Sequence, residues 1–455
     1  MTTSLANAFP RKHFFLEMFT RDISLEDCIL DLIDNSIDGL VKTRNIDIST
    51  ELLRNGANSP PKRGSLAKIE VRYSPQEFEI TDFCGGIDRA HALNEVFNFG
   101  HGPGEVGGAL GVYGIGLKRA IFKIGDFFQM ESRTDKEGFS VELNVTEWSA
   151  KDQDIEDWKI PLKMVPGATA GKEAGTKIRI TRLRSEVVMR LKDGVFETRL
   201  RSLISQTYGL FLQKYVEIAL NGVPIEPFSI PIGTSKEVQP AHDEYKDGQN
   251  GEVLVRLFAS LAARGPDREW RGETAGWYAL CNGRIVVAAD KTELTGWGSG
   301  ALPQFHSSKF RGFLGVAFFQ SSNPLALPWT TTKRGLNRES PVYQNARNRM
   351  RGVARPIITF LDGMYKPEAP EQQFGKEIAD QVKATTLAAM ASKPVSTFVV
   401  TMPARQPPST TTSIQYEAER SDVERVRKHL KKPSLAAWRV GKHTFEHYLK
   451  TECPQ

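Results

Sequence analysis

Residues 24–40 read Ser24-Leu25-Glu26-Asp27-Cys28-Ile29-Leu30-Asp31-Leu32-Ile33-Asp34-Asn35-Ser36-Ile37-Asp38-Gly39-Leu40. Ser24 with Asp27 three residues on has the form of a capping box, which opens a helix by satisfying its first free N–H groups. At about 100° per residue, Leu25, Ile29, Leu32, Ile33, Ile37 and Leu40 gather on one face, as on a helix packed against a core. The other face carries Asp31, Asn35 and Asp38, which project within about 60° of one another. Two carboxylates and an amide converge there, and spacing alone leaves open whether this is a binding site or a solvated helix face.

Three segments downstream carry related signals. Ile80-Thr81-Asp82-Phe83-Cys84-Gly85-Gly86-Ile87 ends a strand-like run in an acid and paired glycines. It suits recognition of a base edge or ribose, or it is an ordinary turn. Gly111-Val112-Tyr113-Gly114-Ile115-Gly116-Leu117-Lys118 is a glycine-rich turn opening a helix. Its backbone N–H groups and Lys118 would suit phosphates, although it lacks the Walker spacing and no strand precedes it. Gly175-Thr176 enters a further strand. Alternation predicts strands at Lys68–Tyr73, Glu77–Thr81, Phe127–Ser132, Ser140–Val145 and Thr176–Thr181. Gly100–Gly116 holds eight glycines and is long enough for a mobile lid.

In this order the segments resemble the nucleotide site of the GHKL ATPases, the superfamily of gyrase B-type topoisomerases, a heat-shock chaperone, histidine kinases, MutL-type repair proteins and MORC proteins. The resemblance covers about residues 10–185. It implies an α+β fold: a Bergerat α/β sandwich with a mixed, mostly antiparallel sheet, then an α/β transducer domain and a small C-terminal α/β module. The family motif E-x-x-x-N-x-x-D falls on Asp31, Asn35 and Asp38. By that match Asn35 ligates Mg²⁺ on the ATP phosphates and Asp31 replaces the glutamate that activates water. Asp82 accepts from the adenine amino group, Gly86 and Ile87 line the base pocket, and Thr176 supports Asp82 through a water. Gly111, Gly114, Gly116, Leu117 and Lys118 form the phosphate lid.

Two departures from the family pattern matter. Asp31 is one methylene shorter than glutamate, which leaves its carboxylate about 1–1.5 Å short, a scale of misplacement that slows reactions. Phe83-Cys84 stands where Asn-Gly is usual, so the pocket is expected to be crowded or the turn altered.

A helical stretch from about 186 to 213 leads to a second α/β region with hairpin signals at Asn221-Gly222 and Asn282-Gly283. Ser340-Pro341 there starts a further helix. Pro328-Trp329-Thr330-Thr331-Thr332-Lys333 is similar to the P-T-x-x-K of MORC-like proteins with one residue inserted, which makes Lys333 the implied γ-phosphate sensor and Arg334 its substitute. Lys393–Thr412 reads as a linker, and Ser421 with Glu424 as the capping box of a basic helix. The implied divisions are residues 1–185 for ATP binding, 186–214 connecting, 215–370 transducer, 371–412 helix and linker, and 413–455 the C-terminal module.

Composition narrows the function class. The chain has 455 residues, 40% hydrophobic and 25% charged, enough for two or three domains at roughly 150 residues each. It has no apolar run of about 18 residues and no hydrophobic signal core, so a cytoplasmic protein with no membrane contact is expected. Cys28, Cys84, Cys281 and Cys453 show no C-x-x-C spacing and are expected to be reduced. A net charge of +6 permits an anionic partner. Arg347, Arg351 and Arg355 recur on one helix face, and Arg425, Lys428, Lys431 and Lys432 form a second basic run. The expected activity is slow Mg-dependent ATP hydrolysis driving lid closure and homodimerisation, with DNA and a protein client as candidate partners and defence as a candidate role. The alternative is an ATP-gated assembly module with negligible hydrolysis.

Overall fold

The computed structural model describes residues 11–48, 52–53, 67–100, 109–152, 155–168, 174–300, 302–367, 369–403 and 414–453. The alternating segments become β1 (Ala67–Tyr73), β2 (Glu77–Asp82), β3 (Gly125–Arg133), β4 (Glu137–Asn144), β5 (Leu162–Pro166) and β6 (Gly175–Leu183). β7 (Val216–Leu220) and β8 (Val223–Pro224), joined by the Asn221-Gly222 turn, complete one sheet in the order β5-β4-β3-β6-β2-β1-β7-β8. All its pairings are antiparallel except β1 with β7.

Helices α1 (Lys12–Arg21), α2 (Leu25–Arg44) and α3 (Gly116–Ile124) pack as a layer, α2 touching β1 and α3 touching β3 and β6. The apolar face read from α2 is wholly buried with Ile69, Phe78, Phe128 and Ile180 of the strands. Burial of these side chains is the main favourable term for the layer, at roughly 1.5–3 kcal/mol per large apolar group. α1 is fixed by a buried lysine: Lys12 Nζ donates to the carbonyls of Trp148 (2.9 Å) and Lys151 (2.6 Å).

The stretch read as one helix over 186–213 is three, Ser185–Leu191, Phe196–Thr207 and Gly209–Lys214. Asp193-Gly194 interrupts the first junction, and Tyr208 leaves the helical region at the second. The second sheet contains β9 (Ala241–Asp247), β10 (Val253–Leu261), β11 (Gly276–Cys281), β12 (Arg284–Asp290) and β13 (Phe313–Gln320). Its order is β9-β10-β13-β11-β12, with β11 and β13 parallel. α4 (Pro341–Gly363), capped by Ser340 as the sequence predicts, lies on β9, β10 and β13.

Some expectations change. Arg347 donates to the Glu293 carbonyl and Arg351 to Ser299 Oγ, so two of the four arginines on α4 fasten the loop after β12. The first part of the expected linker is structured: Val399–Val400 pairs with Val238–Gln239, and Ser396 exchanges backbone hydrogen bonds with His242. Residues 404–412 of it lie outside the described residues, as do residues 101–108 of the lid. Residues Pro403–Gln455 form a separate compact unit. Its described elements are both helices, Arg420–His429 and Ala437–Glu452, rather than an α/β module. The first starts a residue before Ser421, so the predicted capping box does not form. The basic run at Arg425–Lys432 lies on and just after it.

Candidate active site

α2 presents its polar face to a cavity of about 800 Å³, lined by Asp31, Asn35 and Asp38, the Asp82–Ile87 turn, the Gly111–Lys118 turn, Thr176, Thr331 and Lys333. Ser24 sets the start of this helix by accepting from Asp27 N at 3.1 Å, and Asn45 ends it in a left-handed conformation (φ 49°). The cavity therefore joins all four segments singled out in the sequence to a loop from the second region.

At one end lies Asp82. Its Oδ2 accepts from Ser36 Oγ at 2.8 Å and its Oδ1 from the Cys84 (3.0 Å) and Thr176 (3.3 Å) backbone N–H groups. Burial pushes this carboxyl above the usual range, and the three hydrogen bonds oppose that shift. Thr176 thus meets Asp82 directly through its main chain. Its hydroxyl pairs with Ser132 Oγ at 2.9 Å, and Ser132 also accepts from Ile87 N. Ser132 carries no motif in the sequence. The available signal was a polar residue continuing the buried register of Phe128 and Met130.

The Phe83-Cys84 departure does not crowd the cavity as expected. Phe83 is exposed and off the cavity wall, while Cys84 packs beside Gly39. Burial raises the Cys84 thiol far above its normal range, which makes it an inert wall residue. Gly86 is required: its φ is +69°, and a Cβ there would lie 2.1 Å from the Arg133 carbonyl.

The lid turn is clamped from below. Asp38 Oδ1 and Oδ2 accept from the backbone N–H groups of Leu110 (2.8 Å) and Gly111 (2.5 Å). Burial lifts the Asp38 carboxyl to about 7 against the pull of those two bonds. A Cβ on Gly111 would come within 2.8 Å of Asp38 and 3.1 Å of Asn35, and one on Gly116 within 2.9 Å of Asp31. Close approach of turn to helix is the reason for glycine at both. Asn35 is exposed, lines the cavity and makes no side-chain hydrogen bond among the described residues. Lys118 is buried with Nζ on the Val96 carbonyl at 2.8 Å, and desolvation lowers its pKa to about 7.

The far end holds a charge cluster that the sequence showed only in part. Lys333 Nζ is 2.6 Å from Asp34 Oδ2 and 3.4 Å from Asp31 Oδ1. Arg284 Nε is 3.0 Å from Asp34 Oδ1, which also lies 2.7 Å from the Tyr208 hydroxyl. Desolvation raises Asp34, but the Arg284 and Lys333 charges outweigh it and hold the group below its normal value. Asp31 has a weaker share of that charge, so burial wins and its carboxyl is raised. Arg334, the substitute sensor, pairs with Asp27 and lies off this cavity.

Residues 23–167 match the family model of histidine kinase-, DNA gyrase B- and HSP90-like ATPases. This part of the chain is a GHKL-type ATP-binding domain, and the mixed, mostly antiparallel sheet beneath its helices agrees with that fold. No curated protein matches the chain in sequence. Among the described residues, no helix is long and apolar enough to cross a membrane.

Proposed function

We propose that the cavity binds ATP with Mg²⁺ and hydrolyses it to ADP and phosphate. The observation that carries this reading is the convergence of Asp31, Asn35, Asp82, the Gly111–Lys118 turn and Lys333 on one cavity of nucleotide size. Asp82, buried and held by three donors, presents an acceptor suited to the adenine amino group. The lid turn would lie along the phosphates, with Lys118 supplying charge.

The donor set fits a metal that arrives with the nucleotide. No group of three or more His, Cys, Asp or Glu suited to a metal exists among the described residues, whereas Asn35 offers a free amide oxygen. Mg²⁺ takes few protein ligands and keeps phosphate and water oxygens, so Asn35 would hold it. Bound there, it neutralises phosphate charge. In the hydrolytic step, Asp31 takes a proton from water as the water oxygen bonds to the γ-phosphorus. The bond from that phosphorus to the bridging oxygen breaks, and the electron pair leaves with ADP. Lys333 stands beside Asp31 to stabilise charge on the transferred group.

The same contact favours slow turnover, because Lys333 also holds the Asp31 carboxylate that must accept the proton. We extend the reading to a clamp: the lid closes on ATP, two copies associate, and hydrolysis resets them. GHKL ATPases commonly dimerise, which supports a homodimer. The basic helix at Arg420–His429 keeps DNA as a candidate partner. Single-turnover incubation of excess protein with Mg-ATP tests the enzyme reading. Conversion to ADP and phosphate is expected; ATP bound but recovered intact would replace it by a nucleotide-gated assembly module.

A further inference from the structure

The Asn282-Gly283 turn between β11 and β12 is a hairpin tip with φ values of 46° and 85°. It touches the lid turn on one side and the charge cluster on the other. Asn282 is buried, and its Nδ2 donates to the Ala109 carbonyl (3.1 Å), next to the Leu110-Gly111 pair clamped by Asp38. The same amide is fixed to its own domain by Ser321, whose carbonyl accepts from Nδ2 (3.0 Å) and whose N–H donates to Oδ1 (3.0 Å). Two residues on, Arg284 is buried too. Its Nε donates to Asp34 Oδ1 at 3.0 Å and its NH1 to the Lys333 carbonyl. Glycine between them allows the tip to seat, since a Cβ on Gly283 would lie 2.6 Å from Leu52.

Lys333 needs such a hold. Its φ is +55°, a region that residues with side chains keep only when their surroundings impose it. Three contacts impose it: Lys333 N on the Thr330 carbonyl at 2.8 Å, Arg284 on the Lys333 carbonyl, and the ammonium on Asp34. One of the three comes from the residue that follows the lid-holding turn.

We infer that Asn282 and Arg284 are positioning residues that couple the lid to the sensor lysine. A displacement of Ala109 as the lid moves is passed by Asn282 to the tip, and the tip carries the Arg284 guanidinium that sets both the Lys333 backbone and Asp34. The lever is one turn long, held by buried polar bonds whose loss is costly, so its two ends move together. The coupling itself is independent of the ligand, while its use as a γ-phosphate response rests on the ATP reading above.

Two conservative variants test it. Arg284→Lys keeps a cation beside Asp34 but cannot bridge to the Lys333 carbonyl as a fork does. Asn282→Asp keeps the acceptor for Ser321 N and loses the amide donor to both the Ala109 and the Ser321 carbonyls. In nucleotide-free protein, hydrogen exchange at the Leu110 and Gly111 amides should quicken about tenfold in both variants, within the range of ordinary coupling energies. Arg284 has no hydrogen bond to the lid among the described residues, so unchanged exchange in Arg284→Lys would overturn the proposal. With nucleotide, both variants should keep ADP affinity within about twofold and lose about tenfold of the preference for a non-hydrolysable ATP analogue. Equal losses for the two ligands would mark a merely structural role and overturn it. Faster lid exchange in a protein that binds no ATP would uphold the coupling and refute the nucleotide reading.

Discussion

Lys333 and Asp34, 299 residues apart in the chain, meet at 2.6 Å in a fully buried setting. Arg284 completes the arrangement from a third segment, so two cations share Asp34 and one of them reaches on to Asp31. The second region is thereby joined to α2 by buried charge as well as by the shared apolar core.

Breaking that cluster should be expensive. Asp34→Asn leaves Lys333 and Arg284 buried without their main countercharge, and losing one partner of a buried ion pair costs about 3–5 kcal/mol. Urea unfolding at neutral pH should show a loss of that size. A loss below about 1 kcal/mol, the worth of an exposed pair, would mean the cluster is solvated.

Asp31 should affect turnover more than binding. Asp31→Ala is expected to bind ATP and to lose about 10²–10⁴-fold in hydrolysis, the usual share of a general base. Asp31→Glu should raise turnover by restoring reach. An unchanged or lower rate in Asp31→Glu would show that the close packing of Gly116 against Asp31 has fitted the site to the shorter acid.

Lys118 gives a pH dependence with a definite sign. Burial leaves its free-state pKa at about 7, and a bound triphosphate must raise it by stabilising the charged form. Between the free and bound values, ATP binding takes up a proton. Affinity should therefore fall as pH rises above about 7, by at most tenfold per unit. Lys118→Met should flatten the profile; an unaltered profile would detach Lys118 from the phosphates.

Lys333→Ala should spare ADP affinity and weaken both turnover and ATP-dependent association. Light scattering with a non-hydrolysable ATP analogue checks the second effect. A variant that dimerises as wild type does would show that Lys333 does not sense the γ-phosphate.

The local part of this architecture was readable and the long-range part was not. Ser24, the apolar stripe of α2 and both Asn-Gly turns are settled by neighbours in sequence, and they stand where patterning puts them. Asp34 lies about 60° to one side of Asp31 at helical pitch, outside the converging trio. Its partners Tyr208, Arg284 and Lys333 come from distant segments, and no periodicity records such a meeting. An acid beside the apolar stripe of a helix headed for burial is the usable clue, since buried charge demands a partner. The single long helix expected over 186–213 is broken at Asp193-Gly194, whose turn chemistry interrupts the helix, and again at Tyr208.

Titration calorimetry with Mg-ATP and Mg-GTP, on wild type, Asp82→Asn and Asn35→Ala, bears most directly on the identity of the cavity. Wild type should bind one ATP per chain in preference to GTP. Asp82→Asn should lose that preference because an amide donor replaces the acceptor facing adenine, and Asn35→Ala should bind neither nucleotide measurably. Wild type without saturable ATP binding, or an Asp82→Asn variant that still prefers ATP with Asn35→Ala unchanged in affinity, would contradict the assignment of this cavity to ATP.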